Sequence, residues 1–125
     1  MENVRKKILL IDDDMNFLIT VREILENEGY EVFTNDSWFG ATNLVKKIHP
    51  DLVLLDINMP GLSGIKLSGL IQTNGNAKHL PILFHSSNDE DGLRRTVAET
   101  GVDGYVCKGN VPDLIKKVAF YLNRQ

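Results

Sequence analysis

The chain has 125 residues, 42% hydrophobic and 25% charged, with 14 Lys and Arg against 17 Asp and Glu for a net charge of −3. These values suit one soluble globular domain able to bury a core unaided, and they exclude a disordered or fibrous chain. The basic residues are scattered, which argues against direct binding of nucleic acid. The lone Cys107 and an N-terminus that turns acidic after a short apolar run (MENVRKKILLIDDD) argue against a secretory leader or membrane insertion, and for a reducing, cytoplasmic setting.

Lys7 to Ile11 reads as a short buried strand ending on Asp12-Asp13-Asp14. Phe17, Val21, Ile24 and Leu25 then mark the apolar face of a helix, with Asp14 suited to its N-cap and Gly29 to its C-terminus. Tyr30 to Thr34 reads as a second strand. The next helix, opened by Trp38 and Phe39, carries Ala41, Leu44, Val45 and Ile48 until His49-Pro50 stops it. Asp51 to Leu55 is a continuously apolar strand with Asp56 at its tip; Met59-Pro60-Gly61 turns the chain into a helix containing Leu67, Leu70 and Ile71. Leu80 to His85 forms a fourth strand ending in Ser86-Ser87, followed by a helix from Asp91 to Thr100 closed by Gly101. Gly104 to Cys107 forms a fifth strand ending at Lys108. Val111, Leu114, Ile115, Val118 and Leu122 mark the last helix, with Pro112 in its first turn.

Strands alternating with helices through short connections predict an α/β fold: a doubly wound, flavodoxin-like parallel sheet of five strands, order 2-1-3-4-5, with five helices covering both faces. The chain reads as a single domain over 1–125, without linker, repeat or low-complexity tract.

Such sheets bind ligands beyond the carboxyl ends of their strands, where strand order reverses, and that crevice gathers Asp12, Asp13 and Asp56. Crowded carboxylates repel one another unless a cation neutralises them. An all-oxygen site that leaves room for water and phosphate suits Mg2+ better than Ca2+ or Zn2+. A carboxylate so neutralised can attack phosphorus to form an aspartyl phosphate, and Asp56, alone on the middle strand, is best placed. The Lys108 ammonium and the Ser86 hydroxyl can hold the remaining phosphoryl oxygens.

The segments ILLIDDD, LVLLDINMPGLSG, PILFHSS and GVDGYVCKG, in this order, resemble the receiver-domain family of bacterial two-component response regulators over essentially the whole chain, Ile8 to Leu122. The resemblance implies a phosphorelay signalling switch that catalyses only its own phosphorylation and dephosphorylation. It makes Asp56 the phosphoacceptor, Asp13 and the backbone carbonyl of Asn58 direct metal ligands, and Asp12 a ligand largely through water. Ser86 and Lys108 would contact the phosphoryl group, and Tyr105 would be the aromatic that rotates inward to remodel the surface of helix four, strand five and helix five. The implied partners are a histidine kinase or phosphotransfer protein upstream and a protein target downstream; no output domain follows Leu122 in this sequence, which as a complete chain would act through another protein and could equally be a piece of a larger one. Three positions depart from the usual pattern: Gly109 replaces the proline common after the lysine, Asn110 follows it, and His85 stands where an apolar residue is common. Without that proline the turn carrying Lys108 is expected to be rearranged or more mobile.

Rival readings exist. Asp12 and Asp14 form an Asp-x-Asp after the first strand, as in aspartate-nucleophile phosphatases of the haloacid-dehalogenase kind, where Asp12 would be the nucleophile. A degenerate receiver could signal without phosphorylation. Tyr105 also reads as a half-buried strand aromatic with its hydroxyl in water. His49, His79, His85 and Cys107 show no ligand or redox pattern and receive no site role.

Overall fold

The computed structural model describes residues 4–59, 61–73 and 79–123, so Pro60 of the predicted turn lies outside the described residues. In chain order the elements are β1 (Lys7–Ile11), α1 (Met15–Asn27), β2 (Glu31–Asn35), α2 (Ala41–Ile48), β3 (Leu52–Leu55), α3 (Gly64–Thr73), β4 (Ile82–Ser86), α4 (Glu90–Thr100), β5 (Gly104–Cys107) and α5 (Val111–Leu122). All strand pairs are parallel, in the order β2-β1-β3-β4-β5.

The pleat sorts alternate strand residues to opposite faces. Ile8, Leu10, Leu52, Leu54, Leu83 and Val106 pack against α1 and α5. Leu9, Ile11, Val53, Leu55, Ile82 and Phe84 pack against α2, α3 and α4. Because both faces are buried, the strands read as apolar runs rather than as polar–apolar alternations, and β3 and β4 are buried along their whole lengths.

Helix boundaries follow local chemistry. The Asp14 carboxylate caps α1 by accepting from the Phe17 amide at 3.2 Å, and Asp89 caps α4 by accepting from the Gly92 amide at 2.8 Å. Gly101 ends α4 in the left-handed conformation, φ 78°, that a residue without Cβ adopts readily.

Several expectations need correction. The buried stripe of α1 is Leu18, Val21 and Leu25, whereas Phe17 and Ile24 lie on its half-buried flank. Trp38 and Phe39 do not open α2: Gly40, at φ 77°, starts that helix at Ala41, leaving both aromatics in the preceding loop. There Phe39 is 76% exposed, while the Trp38 indole lies against Gly61 of the β3–α3 connection. Leu70 of α3 and Val111 of α5 face outward. The fourth strand starts later than predicted and includes Ser86, which is fully buried.

Candidate functional site

Register brings the carboxylates together. Ile11 pairs with Leu55 across β1 and β3, and the Asp56 amide donates to the Ile11 carbonyl, so Asp12 and Asp56 leave adjacent strands side by side. One oxygen each from Asp12, Asp13 and Asp56 lies within 4.8 Å of the others. Asp12 and Asp56 are only 4% and 3% exposed, whereas Asp13 faces solvent. Burial raises the pKa of Asp56; the Asn58 amide bond opposes this, the charges of Asp12 and Asp13 add to it, and Lys108 opposes it. Three hard oxygen donors around a reluctant anion make a donor set suited to a small divalent cation.

Lys108 reaches this cluster from β5. Its ammonium lies 2.8 Å from Asp12 Oδ2 and 3.7 Å from Asp56 Oδ2. Burial works to lower its pKa, but the hydrogen bond and charge of Asp12, with Asp56 behind, outweigh that and leave it raised. The departures after the lysine have a local explanation. The Asn110 amide closes a tight turn onto the Cys107 carbonyl, and Gly109 sits in it at φ 90°, a backbone angle that proline cannot adopt. Asn110 then caps α5, its side chain accepting from the Asp113 amide at 3.1 Å. The turn is thus closed by a hydrogen bond and delivers Lys108 to the carboxylates.

On the other side, the Ser86 hydroxyl oxygen accepts from the Asn88 amide at 3.1 Å and from Asn58 Nδ2 at 3.4 Å. Asn58 Nδ2 also donates to Asn88 Oδ1 at 2.8 Å, joining the β3–α3 and β4–α4 loops over the serine. Asn58 is exposed, and its amide donates to Asp56 Oδ1 at 3.2 Å. Tyr105 turns outward: its hydroxyl donates to Glu90 Oε2 at 2.7 Å, and the Lys117 ammonium lies 4.2 Å from its ring centre.

Two side chains have a place here that sequence reasoning missed. His85 follows Leu83 onto the face covered by α1 and α5, where its ring lies 4.9 Å from that of Phe17. Burial, reinforced by Lys108, lowers its pKa to about 4, so it is neutral near pH 7. Phe17 in turn lies under Lys108, ring centre 4.5 Å from the ammonium. Strand parity could have shown that His85 and Lys108 share a face; the spacing of α1 did not reveal Phe17 beneath them. Asp14, by contrast, caps α1, and the carboxylates that gather within 4.8 Å among the described residues are Asp12, Asp13 and Asp56 rather than an Asp12–Asp14 pair.

Fold and site together define a doubly wound α/β protein with an acidic, lysine-flanked crevice at its topological switch point. Comparison with known proteins gives the family: the chain matches the response regulator receiver domain over residues 8–119 and belongs to it. It is 26% identical to the polar-differentiation response regulator DivK of Brucella ovis over 118 residues, 94% of this chain and 96% of that one. Among solved structures, the chemotaxis protein CheY4 of Vibrio cholerae superposes with a TM-score of 0.86 at 25% identity, covering 95% of this chain and all of that one. A putative response regulator of Chloroflexus aurantiacus does so with a TM-score of 0.87 at 27% identity, covering 97% and 100%. The protein is therefore a phosphoacceptor of two-component signalling.

Proposed function

We propose that Asp56 is the residue that accepts the phosphoryl group, and that Asp12, Asp13, Asp56 and the Asn58 carbonyl hold Mg2+. The observation that carries this reading is the convergence of three carboxylates within 4.8 Å at the tips of β1 and β3, with Lys108 beside them. When bound, Mg2+ would neutralise the carboxylates and the incoming phosphoryl group.

The chain's own groups divide the remaining work. An Asp56 oxygen attacks phosphorus while the bond to the donor breaks, and the donor leaves with that electron pair. Lys108, already between Asp12 and Asp56, shifts toward a phosphoryl oxygen, and the Ser86 hydroxyl turns to donate to another. Ser86 shares a sheet face with Tyr105, so movement of the serine opens room for the ring to leave Glu90 and turn inward. The surface of α4, β5 and α5 changes with it and serves as the output toward a protein target. A histidine kinase or phosphotransfer protein supplies the phosphoryl group. Among the described residues no helix is long and apolar enough to cross a membrane, which accords with a cytoplasmic reading.

The test is to incubate the protein with Mg2+ and acetyl phosphate and follow intact mass beside an Asp56→Asn control. One phosphoryl adduct, dependent on metal and missing in the control, is expected. An adduct that survives Asp56→Asn, or none on folded protein, overturns the reading.

A further inference from the structure

Between α1 and the end of β5, three side chains stack in order: His85 against Phe17, and Phe17 beneath the Lys108 ammonium. We propose that Phe17 is a positioning residue for Lys108, a role braced by His85, and that its ring face lets the ammonium slide from Asp12 to the phosphoryl group without leaving its support. This rests on the reading that Lys108 contacts the phosphoryl group.

The geometry requires something of the kind. The ammonium lies 2.8 Å from Asp12 but 3.7 Å from Asp56, so it has to move to pair with a phosphoryl group on Asp56. A hydrogen bond to one fixed acceptor would oppose that change. The attraction of a cation to an aromatic face varies slowly with lateral position and strengthens where water is scarce. Here the Lys108 side chain is only 20% exposed.

His85 explains why the ring stays put. It is 5% exposed, on the strand that leads into Ser86, and its imidazole meets Phe17 at 51°. An aliphatic residue there would fill the space but would not offer this tilted ring contact. Phe17 and His85 also line a groove between α1 and α5, with Val21, Ile24, Val111 and Leu114, so Phe17 is not enclosed on every side and gains from a brace.

The experiment is a double-mutant cycle on the full chain, Phe17→Leu with Lys108→Met. Its readout is the affinity for beryllium fluoride, a tetrahedral stand-in for a phosphoryl group on a carboxylate, in the presence of Mg2+ and read by 19F NMR. Phe17→Leu should weaken binding about fivefold when Lys108 is present, because a side chain without its support must be ordered as the ligand binds, and leave it nearly unchanged in Lys108→Met. Phe17→Tyr, which keeps the ring face, should bind as the wild type does. Equal weakening in both lysine backgrounds, or equal weakening by Leu and Tyr, overturns the proposal. If Lys108→Met alone leaves the affinity unaltered, the phosphoryl role of Lys108 itself fails, a different result from the first two.

Discussion

Acidification should unfold this protein partly through one buried side chain. His85 titrates at about 4 in the fold against an ordinary value of 6.5, because burial and the nearby Lys108 both disfavour a second cation there. Between those values the unfolded chain binds a proton that the native protein refuses, so stability falls as pH drops below 6.5 and levels off below about 4. At about 1.36 kcal/mol per pH unit, going from about pH 7 to about pH 5 removes roughly 2 kcal/mol through His85 alone. Urea unfolding of the wild type and His85→Phe at both pH values measures this directly. The variant keeps a ring against Phe17 but has nothing to protonate, so it should lose about 2 kcal/mol less than the wild type on acidification. Parallel losses in the two proteins would refute the argument that His85 is held neutral by its surroundings.

Other consequences are as direct. A methyl group at Gly64 would run into the Asp56 carbonyl oxygen and lie 2.7 Å from the Ile57 Cα, so Gly64→Ala should cost about 1–3 kcal/mol in a thermal melt; a wild-type melting temperature would contradict that close approach. Glu90→Ala removes the 2.7 Å acceptor that holds the Tyr105 hydroxyl and should shift the ring about fivefold toward its inward position, visible in the Tyr105 ring resonances; unchanged resonances would sink the idea. Mg2+ at about ten times its dissociation constant should add about 1.4 kcal/mol to wild-type stability, and Asp13→Asn should lose most of that gain; equal stabilisation of both proteins would remove Asp13 from the metal set.

The architecture was legible in the sequence because buried parallel strands leave continuous apolar runs, such as Leu52 to Leu55, and because caps such as Asp14 and Gly101 punctuate the helices locally. The carboxylates, Ser86 and Lys108 were legible too, since each terminates a strand and a doubly wound sheet brings its strand ends to one edge. What only the tertiary structure decided were contacts between elements distant in sequence. Helical spacing cannot say that Phe17, on the flank of the core stripe, also meets Lys108, because that depends on how α1 rotates against β5 and α5. Nor does the type of residue at 85 reveal that an imidazole will be neutral: its proton is set by the burial and the neighbouring ammonium that the packed strands impose. Gly109 shows both kinds of information at once. Its identity announced a backbone angle closed to proline, and only the fold showed that the turn leaves Lys108 at the carboxylates.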